Sequence, residues 1–435
     1  MRKNIVKVEL GKICDYSKGK KPKVLTKEYS EKTPFPYINI KAFEYGVFDE
    51  YTDGDKCNLC ENGDLLMVWD GARAGFIGKA KKGAVGSTLM KIEAKEGIEK
   101  DYLFYFLLSL YKKINTNPRG VGIPHVEPSL LWTSELIIRS IPEQRAIVQK
   151  IENYFELLDK GIADLKTAQE QLKIYRQAVL KKAFEGRFTN KNVKEGELPE
   201  GWKLVKLREV AEINPKLPNK EEINSSLEIQ FLPMKLVEEE INKIHLIETR
   251  LFHEVQKGSY TPFIENDIIF AKVTPCMENG KIAITKNLKN GIGYGSSEFH
   301  VIRCIGEILN TYIFHYVVQS RFRKEAENQM TGAVGLRRVP KKFLENYFIP
   351  FPPTLSEQHT IVREIESRLS VCDKVEQSIS ESLEKAEALR QSILKKAFEG
   401  KLLSGEEIAQ CKQEADYEPA NVLLERIRKE NKHGK

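Results

Sequence analysis

The sequence predicts a mixed α/β protein built by duplication: two similar domains, each followed by a long helix, with the two helices packed as an antiparallel coiled coil under pseudo-twofold symmetry. Three observations carry this expectation. A long segment recurs at a single offset, both copies have a helical apolar period, and the stretches ahead of them share a fainter series of strand-like motifs.

The first copy runs from Glu143 to Gly186, opening EQRAIVQKIENYFELLDK and closing RQAVLKKAFEG. The second runs from Glu357 to Gly400, opening EQHTIVREIESRLSVCDK and closing RQSILKKAFEG. Both ends are displaced by 214 residues, and about 18 of the 44 paired positions are identical without a gap. Chance does not give such a match. In the first copy Val148, Ile151, Phe155, Leu158, Ile162, Leu165, Leu172 and Val179 fall at intervals of three and four, an a/d seam broken at Gln169 and Arg176. Val362, Ile365, Leu369, Cys372, Ile379, Leu383, Ala386 and Ile393 hold the same register in the second. Pro142 and Ser356 stand where helices start, Gly186 and Gly400 where they stop. At ~1.5 Å per residue such a helix is a rod of roughly 66 Å. One copy alone would read as a dimerisation coil or a core helix. Two equal copies offer each other matching seams, and the chain must fold back between them, hence the antiparallel pair.

The stretches ahead of the helices repeat more faintly. VELGKICDY at Val8 parallels LVKLREVAEI at Leu204, with Leu10, Ile13 and Asp15 matching Leu207, Val210 and Glu212. YINIK parallels FLPMK, GDLLMVW parallels NDIIFAK, and GVGIPHV parallels AVGLRRV. Short apolar strands (64–69, 267–272) mix with helical stretches (102–111, 311–321), the signature of small α/β domains. The expected organisation is a domain at 1–142, a helix at 143–186, a polar linker at 187–200, a second domain at 201–354, a second helix at 355–400 and a tail at 401–435.

The chain has 435 residues, 41% hydrophobic and 30% charged, with a formal net charge of +7. This is globular composition, which excludes wholesale disorder. Apolar runs such as 102–110 are too short to span a membrane, and the opening MRKNIVKVELGK has no secretory h-region, so a soluble cytoplasmic protein without membrane association is expected. Seven scattered cysteines make no disulfide framework, and the lone Cys57-x-x-Cys60 lacks the second ligand pair of a structural zinc site.

Domain, helix, different domain, near-identical helix: this order, the paired EQ…IV..IE…RQ..LKKAFEG helices, the LPEGW at Leu198–Trp202 and the closing YEPANVLLERIRKE from Tyr417 resemble the specificity subunit of type I restriction–modification systems over essentially the whole chain. The resemblance implies two target-recognition domains, each reading half of a bipartite double-stranded DNA sequence, on helices that set the half-site spacing and dock two methyltransferase subunits. It also implies restriction (translocase) subunits using ATP and Mg²⁺, S-adenosylmethionine on the methyltransferase, and no cofactor in this chain. A specificity subunit of a type II-like or methylation-only system would look the same.

Basic clusters suit phosphate neutralisation. They include Lys20 and Lys21 in KGKKPK, Lys79 in GKAKKG, Arg321 and Arg323 in SRFRK, and Arg337 and Arg338 in LRRVPKK. Base reading calls for loop side chains, and the loops after the paralleled strands supply them. WDGARAGFIGK offers Asp70 and Arg73, while VTPCMENGK offers Thr274, Glu278, Asn279 and Lys281. A second loop pair adds Arg119 and His125, with Arg337 and Arg338 in the other domain. Arg suits guanine, Asn adenine, and a carboxylate cytosine N4.

Rival chemistries are poorly supported. A nuclease D…ExK can be written with Asp70, Glu93 and Lys95, but aligning Gly86 with Gly295 puts Ile302 and Cys304 at the places of Glu93 and Lys95 in the second domain. There is no methyltransferase N-P-P-[FY] or D-P-P-Y, no nucleotide-binding glycine loop and no histidine pair at metal spacing. A plain coiled-coil adaptor accounts for the helices but not for two differently surfaced domains. The expectation is a non-catalytic DNA-recognition subunit.

Overall fold

The computed structural model describes residues 6–433 except 121, 191, 195 and 334. Residues 1–5 of the opening segment, and Val121 and Val334 of the two paralleled glycine loops, lie outside the described residues. The chain divides into two compact units, Met1–Leu165 with Glu381–Lys435, and Lys166–Ser380.

In the first unit the strands are β1 (Lys7–Glu9), β2 (Cys14–Lys18), β3 (Phe35–Ile38), β4 (Tyr51–Thr52), β5 (Leu59–Cys60), β6 (Leu65–Val68), β7 (Ile77–Lys79), β8 (Gly83–Val85), β9 (Leu89–Ala94) and β10 (Glu135–Ile137). The helices are α1 (Ile40–Tyr45), α2 (Lys100–Asn115) and α3 (Pro128–Trp132), after which α4 (Ile141–Phe184) begins. The sheets are β1-β10, β2-β9-β6-β7 and β4-β3-β8-β5. The second unit has β11 (Lys203–Lys206), β12 (Ala211–Ile213), β13 (Glu228–Leu232), β14 (Glu248–Leu251), β15 (Thr261–Ile264), β16 (Ile268–Ala271), β17 (Ile282–Ile284), β18 (Ile292–Gly295), β19 (Phe299–Cys304) and β20 (Phe348–Phe351). Its helices are α5 (Leu207–Val210), α6 (Phe252–Val255), α7 (Asn310–Val317), α8 (Ser320–Asn328) and α9 (Lys341–Asn346), leading into α10 (Leu355–Phe398). Two more, α11 (Gly405–Cys411) and α12 (Ala420–His433), follow in the first unit.

Each sheet recurs with every strand number raised by ten, including the parallel pairs β3–β8 and β13–β18. The central strands LLMV of β6 and IIFA of β16 are buried at every position, as apolar runs covered on both faces must be. The helical stretch 311–321 is two helices. Gln319 is extended, and Gln177 of α4 accepts from the Ser320 N–H at 2.9 Å, capping α8 as a separate start.

Both long helices have 44 residues. They begin one residue before Pro142 and Ser356 and stop short of Gly186 (φ +72°) and Gly400 (φ +76°), whose left-handed backbone ends them. Every seam position named above is buried or half-buried, among largely exposed neighbours. In the first unit Arg390 of α10 pairs with Asp159 of α4 and lies 4.9 Å over the Phe155 ring. In the second, Arg176 of α4 bonds Asp373 (2.7 Å) and Glu376 (2.9 Å) of α10. Arg176 and Arg390 are repeat-equivalent, as are Asp159 and Asp373. The same helix-to-helix contact is therefore made once within each unit.

The repeated end motifs have a structural role. Gln144, wholly buried, accepts from Glu99 N–H (2.8 Å) and donates to the Gly97 and Arg139 carbonyls (2.9 Å each). Gln358, also buried, accepts from Leu309 N–H (3.0 Å) and donates to the Glu307 carbonyl (3.0 Å). At the other ends, Phe398 packs on Tyr102 and Phe106 of α2, and Phe184 on Tyr312 and Tyr316 of α7. Past α10, Leu423, Leu424 and Ile427 of α12 join the core around Ile98. Past α4, Trp202 donates to Glu357 (3.1 Å).

One buried histidine couples the second unit to pH. Burial pushes the His300 imidazole down to about 4, against the pull of its 2.8 Å hydrogen bond to the Val339 carbonyl. Between its unfolded value near 6.5 and about 4, the unfolded chain binds a proton that the folded one refuses, so stability present above pH ~6.5 is lost as pH falls through that window. The expected loss is about 3 kcal/mol, and His300→Gln should flatten it; denaturation of both proteins at pH 7 and 4.5 checks this. Gln144→Ala should destabilise by about 2 kcal/mol, because the Glu99 N–H and two carbonyls lose their partner. A chemical-denaturation midpoint equal to the parent's would contradict it.

Candidate nucleic-acid interface

The expected loops lie at one end of the β6 and β16 strands. After β6 the chain turns through Gly71 (φ +120°) and Gly75 (φ +90°), and at Gly75 a Cβ would lie 2.6 Å from Ile114, so only glycine fits. A second segment runs beside this turn. Val126 N–H donates to Trp69 O (2.9 Å), Gly71 N–H to Pro124 O (2.8 Å), and Arg119 and His125 exchange backbone bonds of 2.9 and 3.0 Å. The second domain repeats the device: Val339 N–H to Lys272 O (2.8 Å), Thr274 N–H to Arg337 O (3.1 Å), and Thr331 with Arg338 at 3.0 and 2.8 Å. The two loops foreseen in each domain are thus laced together, and His125 and Arg338 occupy equivalent places.

Their side chains differ, yet each meets a carboxylate. His125 Nδ1 lies 2.7 Å from Asp70 Oδ1, while Lys18 Nζ donates to Asp70 Oδ2 at 2.9 Å. Asp70 therefore has both oxygens engaged and orients its neighbours. Arg338 grips Glu298 with Nε (2.8 Å) and Nη2 (2.7 Å), and its Nη1 donates to Leu336 O (3.1 Å). The Arg338 guanidinium holds the Glu298 carboxyl below the usual carboxylate range.

The other candidates are placed as follows. Lys20 and Lys21 are exposed on the strap after β2, and Arg119 is exposed on the second loop; none has an ion pair among the described residues. Arg73 bonds Glu44 (2.9 Å) and covers the Phe76 ring at 4.0 Å, and Lys79 bonds Asp101 (2.7 Å). Thr274 donates to Glu278 (2.9 Å), Asn279 to Glu239 (3.0 Å), and Lys281 to Val237 O (3.0 Å). Arg337 lies 3.7 Å from Glu327. Arg321 projects from α8, its side chain 85% exposed and 3.0 Å from Glu325. Arg323 corrects its expectation: its side chain is 8% exposed, paired with Glu240 and donating to Glu278 O at 2.6 Å. It ties α8 to the loop after β16 and is not presented to a phosphate.

Sequence reasoning missed Glu298 and the engagement of Lys18 with Asp70, since nothing local marks either. It also missed a ladder in which Tyr16 stacks on Trp132 (4.2 Å) and Trp132 on Trp69 (6.2 Å) beside the first site.

The nuclease constellation is not assembled. In the β6–β9 register Val68 faces Leu89 and Leu65 faces Ile92, so Glu93 sits at the far end of the strand from Asp70 and bonds Lys91 (3.0 Å). The same register corrects the comparison between domains. Ile92 is equivalent to Ile302, which puts Arg303 and Ile305, not Ile302 and Cys304, in the places of Glu93 and Lys95. Among the described residues no group of three or more His, Cys, Asp or Glu is placed to hold a metal ion, and no helix is long and apolar enough to cross a membrane. The Cys60 thiol is pushed up to about 11 by burial and donates to the Lys81 and Gly83 carbonyls. What the site presents is hydrogen-bond donors and positive charge on backbone-locked loops.

Comparison with known proteins agrees. The family described as type I restriction modification DNA specificity domain matches residues 2–167 and again 199–385. The EcoAI specificity subunit of Escherichia coli is 39% identical over 230 residues, 53% of this chain and 38% of that protein. The EcoEI specificity subunit of the same species is 34% identical over 307 residues, 61% and 50% respectively. The chain thus spans half or less of the length of these two relatives. The MjaVIII specificity subunit of Methanocaldococcus jannaschii is 26% identical over 396 residues, 89% of this chain and 91% of that protein. Two solved structures share the fold. One, from work on complex assembly and conformational transition of the type I R-M system, has a TM-score of 0.68 at 19% identity, covering 91% of this chain and 98% of its own. The other, the HsdS subunit of Thermoanaerobacter tengcongensis, has a TM-score of 0.55 at 19% identity, covering 92% and 98%. With that domain matched twice along most of its length, the chain belongs to the type I restriction–modification DNA specificity family.

Proposed function

We propose that this chain is the non-catalytic, sequence-specific DNA-recognition subunit of a type I restriction–modification complex. The domains at 1–142 and 201–354 each read one half of a bipartite, asymmetric site in double-stranded DNA. The helices at 143–186 and 355–400 set the spacer and dock two methyltransferase subunits, with the linker at 187–200 and the tail at 401–435 joining them to the domains. Methylation then draws on S-adenosylmethionine held by the methyltransferases, and cleavage on restriction subunits that use ATP and Mg²⁺. The setting is the cytoplasm.

The observation that carries this reading is the repeated backbone device with unlike side chains, Asp70–His125 in one domain and Glu298–Arg338 in the other. Like supports with unlike readers suit an asymmetric two-part target, whereas identical readers would suit a palindrome. Exposed Lys20, Lys21 and Arg119 suit phosphate contacts that supply sequence-independent affinity.

Co-expression with a cognate methyltransferase in a methylation-free host, followed by genome-wide mapping of modified bases, tests the reading. A two-part motif with a fixed gap is expected; a soluble complex that writes no motif would refute it. Inserting a few residues near Lys166 should lengthen the gap and leave both half-sites unchanged. The double variant Lys20→Ala, Lys21→Ala should weaken binding of all sequences alike and reduce the slope of log affinity against log salt by about 1 per lost phosphate contact. A slope equal to the parent's would remove these lysines from the interface.

A further inference from the structure

We infer that His125 and Arg338 are the equivalent specificity-determining residues of the two domains, each a base reader aimed by a carboxylate, and that Arg338 reads a guanine. This rests on the DNA-recognition reading above.

Three features of the structure support it. First, both residues stand where two loops are bonded backbone to backbone, so their Cα positions are set by peptide groups and not by side-chain packing. Second, the Arg338 side chain is 44% exposed, so the guanidinium that Glu298 holds at two points is open to a partner from solvent. Third, the donor count leaves a defined pair over. A guanidinium has five N–H groups. Glu298 takes one from Nε and one from Nη2, and Leu336 O takes one from Nη1. One proton remains on each Nη nitrogen, two N–H donors in the guanidinium plane for the two acceptors O6 and N7 of a guanine.

His125 follows the same logic with a smaller group. With Nδ1 engaged by the Asp70 carboxylate, Nε2 is the ring nitrogen that has no hydrogen bond among the described residues. One atom makes one contact, so discrimination at that position should be weaker than at the guanine. Asp70 and Glu298 are positioning residues in this scheme.

The test uses the complete complex with its methyltransferase and reads the methylated motif. Arg338→Gln should relax one guanine in one half-site by about 10- to 100-fold in relative methylation, with the other half-site and the gap unchanged. Glu298→Gln should relax the same position, since an unaimed guanidinium still donates but no longer selects one base edge. His125→Ala should alter only the opposite half-site. Arg338→Lys keeps the charge and loses the two-donor edge, so it should bind DNA yet fail to restore the guanine preference. The inference is overturned if Arg338→Lys restores the parent motif in full, which would make Arg338 a phosphate contact. It is equally overturned if the Arg338 and Glu298 variants lower methylation uniformly with the motif intact, or if the Arg338 and His125 variants affect the same half-site. A parent complex that writes no two-part motif would instead overturn the recognition reading itself.

Discussion

Each long helix has to satisfy two docking surfaces at once, and most of the architecture follows from that requirement. At its start a buried glutamine closes onto the backbone just ahead of a domain helix: Gln144 ahead of α2 and Gln358 ahead of α7. At its end a phenylalanine packs on the aromatic face of such a helix, Phe398 on α2 and Phe184 on α7. Thus α2 and α7 are each clamped by the beginning of one long helix and the end of the other. A residue serving this way in both copies cannot drift in one of them without unpairing buried polar groups or opening a cavity, each costing on the order of 1–5 kcal/mol. The EQ and LKKAFEG ends are accordingly identical between the copies. The middle needs only an apolar seam and its crossing arginine, and there the sequences part.

The domains obey a looser rule. Their sheets repeat strand for strand, although their sequences share little beyond buried apolar runs and a few glycines. Sheet pairing is made by peptide groups, which every residue carries, so any side chains that fill the core can preserve it. The loops after β6 and β16 extend this economy to the end proposed above to meet DNA. Because they are laced to the 119–126 and 331–339 segments through backbone N–H and C=O groups, the side chains they present can change without moving the loop. On the proposed reading, such a scaffold separates folding from target choice.

What was legible in the sequence follows the same division. The long helices could be read to within a residue or two, because their period, their glycine stops and their common offset are local signals that reinforce one another. The paralleled strands were legible because a fully apolar tetrapeptide has few alternatives. The candidate loops could be placed from the sequence, but the partners of their side chains could not. Arg323 looked like part of an exposed basic run, yet helical geometry turns it inward to Glu240 and Glu278 while Arg321, two positions earlier, stays in solvent. Glu298 stands 40 residues from Arg338, and they are brought together by the β16–β19 pairing and the backbone bond of Val339 to Lys272 beside it. The one-residue error in matching Glu93 has a related cause: aligned glycines do not fix register, whereas hydrogen-bonded partners do.

The electrostatics of the loops bear on how such a chain could select sequence at all. Many cations in the sequence clusters are already paired: Arg73 with Glu44, Lys79 with Asp101, Arg338 with Glu298. Each pairing removes a charge that would otherwise attract any phosphate and leaves a donor held at one angle. Under the proposed DNA-recognition role, affinity that ignores sequence would thereby be trimmed, while discrimination, which depends on a donor meeting one base edge and missing another, would be retained. A modest net charge of +7 then suits that proposed role. A more basic surface would bind the whole genome more tightly and resolve it less well, because the useful quantity is the ratio of specific to non-specific binding.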